Sequence, residues 1–262
     1  MKRIVVLCIA LVCFSATACS QDTITGTFPN LANQKVKLVG FESFNTYTIN
    51  SVRVGEKGIF SLSFGDNDYG MGYLAAEDGK AFIVILAPGE NLRLQGEALA
   101  FPETVDIKSG RQNQLFEKYA SEHPRREQAL SAWVYLDRIY RQDSLFALHP
   151  EPRIAIEKEM QRINEEDRAF LASLDQQMYV SWFLPVRKLV SSVPTIAQYR
   201  THEIPEAIAA FRQMDYTDPR LYKSGLLRET IEAHFWLIEN SRRPLDSVFI
   251  EMNVSIDHMI EN

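Results

Sequence analysis

Beyond residue 19 this sequence contains no cysteine. That absence removes disulfides, zinc–thiolate sites, cysteine nucleophiles and CxxC redox chemistry from the rest of the chain. An excess of positive charge is also missing: 28 Lys+Arg stand against 34 Asp+Glu, for a net charge of −6. Basic residues gather only in pairs such as Arg125-Arg126 and Arg242-Arg243, so the footprint of a nucleic-acid binder is absent and no nucleic-acid partner is expected. There is no GxSxG, no GxxxxGK[ST], no HExxH and no GxGxxG set between strand and helix, so acyl-transfer, P-loop, zincin and dinucleotide chemistry lack a carrier. No cofactor is implied. The five histidines, His123, His149, His202, His234 and His258, never stand at the i, i+2 or i, i+4 spacing that brings two imidazoles to one metal. Surface or capping positions are expected for them.

Long apolar runs are scarce as well. The one at residues 4–14 (IVVLCIALVCF) is eleven residues long, short of the roughly 20 needed to span a bilayer. It follows Met1-Lys2-Arg3 and precedes the small residues Ser15-Ala16-Thr17-Ala18, the order of a secretory signal peptide over residues 1–18. Removing it takes away Cys8, Cys13 and two positive charges, leaving a net charge of −8. Ala16-Thr17-Ala18-Cys19 resembles a bacterial lipobox, with Ala16 where that motif favours Leu. The resemblance implies that Cys19 carries a thioether-linked diacylglycerol and becomes the mature N-terminus; the other reading is a secreted protein cleaved near Ala18. Each buried CH₂ of an acyl chain contributes roughly 0.8 kcal/mol, so two or three chains hold a protein firmly on a membrane. The short, weakly acidic stretch after Cys19 looks like that of a periplasm-facing outer-membrane lipoprotein.

The mature chain divides by period. Residues 19–108 read as the lipidated N-terminus and an antiparallel β-sandwich. In Ile59-Phe60-Ser61-Leu62-Ser63-Phe64 the apolar residues alternate with serines, and Gly55-Glu56-Lys57-Gly58 before it looks like a hairpin connection to a strand at 46–54. Further strands are expected at 34–41, 70–76, 81–86 and 91–96, separated by turn signals at 65–68, 77–80 and 88–89. Residues 109–262 carry helical spacing at 113–119, 127–148, 154–178, 180–191, 197–214, 219–240 and 245–260, an all-α domain of about six helices. Leu227, Ile231, Phe235 and Ile238 form one stripe; Asp218-Pro219 is a helix start; His149-Pro150-Glu151-Pro152 and Ser192-Val193-Pro194 are helix breaks. The fold class expected is α+β, with an N-terminal antiparallel sandwich followed by helices.

Other clusters read as structural. Asp66-Asn67-Asp68-Tyr69-Gly70 with Glu77 has some of the spacing of a calcium loop, but Met71 occupies the position that wants Gly, so a hairpin turn is expected. Asn164-Glu165-Glu166-Asp167 reads as a solvated helix face. Tyr179, Trp182 and Phe183, beside Leu184-Pro185, read as core packing that also suits the lining of a groove.

Several of these stretches carry a resemblance. Gly26-Thr27 with Lys35-Val36-Lys37-Leu38, Gly58-Ile59-Phe60-Ser61-Leu62, Ala87-Pro88-Gly89-Glu90-Asn91-Leu92-Arg93-Leu94 and Lys108-Ser109-Gly110-Arg111-Gln112-Asn113 resemble the β-domain of unknown function of Bacteroidetes-type lipoproteins. Met214-Asp215-Tyr216-Thr217-Asp218-Pro219-Arg220 and the helices around it are similar to the helical insert that precedes the thioredoxin-like domain of thiol-disulfide oxidoreductases of the TlpA/ResA type. That domain's CxxC has no counterpart here, so no catalytic, cofactor or metal residue carries over, and Cys19 is the only site residue. Either the domain has been lost or the sequence is a piece of a longer protein. The expectation is therefore a non-catalytic envelope lipoprotein that binds or docks a partner, such as a periplasmic thioredoxin-like protein. The alternatives are the N-terminal part of such an oxidoreductase, or a glycan- or peptide-binding surface lipoprotein.

Overall fold

The computed structural model describes residues 21–77, 79–99 and 102–261. Cys19 and the signal peptide lie outside the described residues. Among the described residues eight strands form two four-stranded sheets. One, in the order β4-β1-β7-β8, is built from β1 (Asp22–Thr27), β4 (Ile59–Phe64), β7 (Leu92–Gln95) and β8 (Asp106–Ser109). The other, in the order β3-β2-β5-β6, holds β2 (Lys35–Glu42), β3 (Asn45–Arg53), β5 (Gly70–Ala75) and β6 (Ala81–Leu86). All neighbours are antiparallel except β1 and β7. The two sheets bury one apolar core between them, with Ile24, Val36, Leu38, Leu62, Leu74 and Val84 each at 1% exposure or less. Phe60, Leu62 and Phe64 point into it while Ser61 faces out, as the alternation requires.

The connection at 55–58 is not the hairpin its length indicates. β3 pairs with β2 and β4 with β1, so the chain crosses there from one sheet to the other. Tight turns match a two-strand ribbon and a short crossover equally well in sequence; the register of the two sheets decides. The turn at 65–68 makes a second crossover, from β4 to β5, rather than a hairpin.

The uninterrupted apolar run AFIVIL of β6 reflects burial of its sandwich face throughout and of its outer face at Ile85, while Ile83 stays 44% exposed. Phe82, Val84 and Leu86 enter the sandwich, while Ile85, with Met71 of β5 and Ala87, enters a second core made with the helices. That second core contains Phe116, Tyr119, Val180, Phe183, Leu184 and Leu221, so the helical region is seated on the outer face of the β5–β6 sheet. Asn113 ties the two together: its Nδ2 donates to Ile85 O at 2.9 Å and its Oδ1 accepts from Ile85 N at 2.8 Å.

Among the described residues seven α-helices follow: α1 (Arg111–Gln142), α2 (Pro150–Ala172), α3 (Tyr179–Tyr199), α4 (Ile204–Arg212), the single turn α5 (Pro219–Tyr222), α6 (Leu227–Glu239) and α7 (Leu245–Glu261). α1 joins the two segments read at 113–119 and 127–148, with Pro124 inside it, but ends at Gln142, and α3 passes through Pro185 and through Pro194, where a break was expected. All three prolines sit on exposed positions. Water takes the carbonyl that each leaves without an N–H donor, so the helix continues. The expected break at His149-Pro150 is present: residues 143–149 are exposed and Pro150 opens α2. The segment at 219–240 is divided instead, because Gly225 takes φ 73° where a Cβ would stand 2.9 Å from the Phe41 ring.

Candidate functional site

The β4–β5 crossover turn, the β2–β3 hairpin and the first turns of α3 and α5 meet in an open cleft of about 820 Å³. Its sandwich wall carries Glu42, Tyr47, Asp66, Asp68 and Tyr69; its helical wall carries Gln112, Gln176, Gln177, Tyr179, Arg220 and Lys223. Backbone contacts fix the two walls. Ser43 N donates to Tyr222 O at 2.8 Å and Met71 N to Lys223 O at 2.9 Å. Gly70, at φ 143°, leaves room for that approach, since a Cβ there would meet Lys223 O at 2.6 Å.

The polar groups around the cleft are held by one another. Tyr47 OH donates to Asp68 Oδ1 at 3.0 Å, and Asp68 Oδ2 accepts from Gly65 N at 2.9 Å. Tyr69 OH lies 3.0 Å from both Asp22 Oδ2 and Asp66 Oδ1; its single proton serves one carboxylate at a time. Asp22 is buried and also accepts from Gly89 N at 2.9 Å. Burial first, then the neighbouring carboxylates, push both phenols well above their ordinary value, so they act as donors. On the opposite wall Asp218 receives Arg220 N and its guanidinium, as the helix-start reading of Asp218-Pro219 requires. The guanidinium lies 5.0 Å over the Trp182 ring. Lys223 Nζ is 5.0 Å over the Tyr47 ring and 3.5 Å from Glu42. Tyr179 stacks on Phe183 at 5.8 Å, and its hydroxyl is buried without a hydrogen-bond partner. The aromatic cluster at 179–183 thus serves core and groove together: Phe183 is core, Tyr179 is lining.

Two sequence readings are corrected deeper in the helices. Asp167, read as part of a solvated face, is 4% exposed and joins three helices: it accepts from Lys188 Nζ at 2.6 Å, and His123 Nδ1 is 3.1 Å away. Tyr119 OH reaches the same His123 nitrogen at 3.1 Å. Burial alone would raise the Asp167 carboxyl, but the hydrogen bonds and charges of His123 and Lys188 outweigh it and hold the pKa at about 2. His123 and His234 are not surface or capping groups. His234 is fully buried, stacked between Phe211 at 5.0 Å and Phe235 at 5.5 Å. Burial, with the Arg212 charge second, lowers it to about 4. His202 is exposed, and His149 stands exposed before α2 without making a side-chain cap. Glu165 and Glu166 are exposed, as expected.

The calcium-like residues do not assemble. Asp66 and Asp68 face the cleft, while Glu77 accepts from Lys35 N. Among the described residues no group of three or more His, Cys, Asp or Glu is placed to hold a metal. No helix among them is long and apolar enough to cross a membrane. Tyr47, Asp22 and Lys223 were not singled out in the sequence, and Tyr69 only as part of the calcium-like turn. Tyr47, Tyr69 and Lys223 lie in or beside the turns at 42–45, 65–70 and 219–225, and Asp22 opens β1 with no such signal. No family model, curated protein or solved structure matches the chain.

Proposed function

We propose that this chain is a non-catalytic, membrane-anchored lipoprotein of the cell envelope, whose folded part binds or docks a partner in the junction cleft. The observation that carries the binding half is the cleft itself, an 820 Å³ concavity at the seam of two structural layers. Ligand sites favour such seams. The Asp66 and Asp68 carboxylates are engaged with the Tyr69 and Tyr47 phenols, and the Arg220 guanidinium with Asp218, which suits a surface that presents fixed polar groups to a ligand. The anchoring half rests on the basic start, the apolar run and Ala16-Thr17-Ala18-Cys19. The family resemblance makes a periplasmic thioredoxin-like protein the partner to try first. The three tyrosines and the carboxamides of Gln112, Gln176 and Gln177 favour a second reading, a polar glycan or peptide ligand.

A photo-crosslinking residue at Gln177, an exposed position of the cleft, tests the binding half in intact cells. The expected result is a discrete adduct that disappears when Lys223→Glu reverses the charge beside it. An identical adduct from a probe at Glu165, on the exposed face of α2, would overturn the cleft assignment. For the anchor, Cys19→Ala is expected to abolish incorporation of labelled palmitate. Equal labelling of the wild type and Cys19→Ala would refute lipidation at Cys19.

A further inference from the structure

A second concavity, of about 290 Å³, opens between α1, α2, α3 and α4 and shares no lining residue with the junction cleft. Two nearly inaccessible polar side chains stand in its wall with hydrogen-bonding capacity unused. Arg200 is 4% exposed. Its Nη2 donates to Glu127 Oε2 at 2.7 Å, but its Nε makes no hydrogen bond, with Glu203 Oε2 3.6 Å away. Ser192 is 5% exposed and its Oγ has no partner. Buried donors left unpaired are uncommon because their desolvation goes uncompensated. At the rim, Glu206 is exposed and makes no ion pair among the described residues. The remaining wall includes Leu171, Leu189 and Ile196.

We propose that this cavity binds a free α-amino acid with an apolar side chain. The ligand carboxylate accepts from Arg200 Nε and Ser192 Oγ, the ammonium donates to Glu203 and Glu206, and the side chain lies on Leu171, Leu189 and Ile196. The lining charges select this class. A simple anion is disfavoured, because Glu127, Glu203 and Glu206 all face the cavity while the Lys188 ammonium is turned to Asp167 at 2.6 Å. A simple amine would leave Arg200 Nε and Ser192 Oγ as unused as they are now. A group that is negative on one side and positive on the other within one carbon's width satisfies both, and the 3.6 Å between Arg200 Nε and Glu203 Oε2 matches such a pair. Burial raises the Glu203 carboxyl from its ordinary range, and an incoming ammonium would lower it again.

The test is calorimetric titration of the full chain, purified in detergent, with L-leucine, N-acetyl-L-leucine and isoamylamine. L-leucine is expected to bind saturably, and the two analogues, each lacking one charge, at least about tenfold more weakly, as loss of one charged hydrogen-bond set predicts. Glu206→Gln, at an exposed position, and Ser192→Ala, a one-atom deletion, are each expected to weaken L-leucine about five- to tenfold with an unchanged circular dichroism spectrum. Equal binding of L-leucine and its N-acetyl derivative would overturn the proposal. So would unaltered binding by Glu206→Gln, or no heat from leucine, isoleucine, valine or methionine at about 10 mM, a concentration at which even millimolar sites fill.

Discussion

Within the sandwich Asp22 is the one buried ionisable side chain among the described residues, whereas the helices enclose His123, Asp167, Arg200, Asp218 and His234. The sandwich core is two apolar sheet faces closed on each other, and its stability rests on area removed from water. The helical region has long elements meeting at several angles, and polar groups fill part of the interior where α1, α2 and α3 converge. One half should therefore respond to pH and the other should not. Its buried charges also fix which helix faces which, because Asp167 is satisfied only when His123 and Lys188 arrive from α1 and α3 together.

The largest effect expected from this difference comes from Asp167→Ala. It leaves Lys188 and His123 without their acceptor and should destabilise the protein by about 3 to 5 kcal/mol, the range for breaking a buried charged pair. The control in the other half is Leu62→Ala, expected to cost about 2 to 5 kcal/mol from lost apolar burial and the cavity left behind. Chemical denaturation separates the two through pH. With Asp167 held at about 2 in the folded chain against the ordinary 3.8, its contribution is complete above pH 3.8 and is lost as pH falls toward 2. The deficit of Asp167→Ala relative to wild type should shrink over that interval, while that of Leu62→Ala stays constant. Parallel behaviour of the two variants would remove the contrast between the halves.

His234 sharpens the comparison near neutral pH. Its folded pKa of about 4 lies below the ordinary 6.5, so the unfolded chain takes up a proton first as pH falls. Stability is full above pH 6.5 and declines by about 3 kcal/mol between pH 6.5 and 4. His234→Phe keeps an aromatic ring between Phe211 and Phe235 and cannot titrate. The variant should be more stable than wild type at pH 5 by about 2 kcal/mol and lose the slope over that window. A slope that survives the substitution would assign it to another group.

How far these features could be read beforehand depends on whether a pattern is local. The strands at 59–64 and 81–86 are legible because alternation and a two-faced apolar run are properties of six adjacent residues. The break at His149-Pro150 and the Asp218-Pro219 start are legible for the same reason, although α1 ends at Gln142, six residues before the end that the helical spacing indicates. The pairing of β3 and β4 with different sheets is not, since it depends on register across the whole sandwich. Asp167 and His234 were misread because hydropathy averages hide single polar residues on a buried face. Ile156, Ile163, Asp167, Phe170 and Leu174 follow one helical stripe, and Leu227, Thr230, His234, Leu237 and Ile238 another; a polar residue in such a stripe is the available signal. The cleft had little local signal beyond the Tyr179 aromatic cluster and the turns beside it, because seven separate stretches of chain supply its lining.

The seam between the halves gives a third, intermediate effect. Gly70→Ala places a Cβ 2.6 Å from Lys223 O, a backbone atom that cannot turn aside, on a residue at φ 143°. About 2 kcal/mol is expected from the backbone strain. The displacement should fall on α5 more than on either core. Amide exchange at Met71 and Ser43, whose N–H groups cross the seam, is expected to accelerate while exchange in β1 and β4 is unchanged. Uniform acceleration would mean that sandwich and helices open as one unit.

The smallest effect belongs to Asp218, where one side chain both starts α5 and holds a cleft residue. Its Oδ1 accepts from Arg220 N at 2.8 Å, while the Arg220 guanidinium donates to both oxygens, at 2.6 Å to Oδ2. Burial would raise the carboxyl, but Arg220 outweighs that and lowers it, so the contribution is present above the ordinary carboxylate range and lost on acidification. Asp218→Ala removes cap and pair together and should cost about 1 kcal/mol, mostly the cap, because the half-exposed guanidinium can return to water. Asp218→Asn keeps an acceptor for Arg220 N and gives up the charge. Recovery of most of the stability by Asn, with its acid dependence gone, would assign the energy to the cap. No recovery would assign it to the ion pair and make Arg220 the residue that α5 exists to place. Only that second result would couple helix start and cleft in one group, and it should then appear as a shifted Trp182 fluorescence, since the guanidinium lies over that ring.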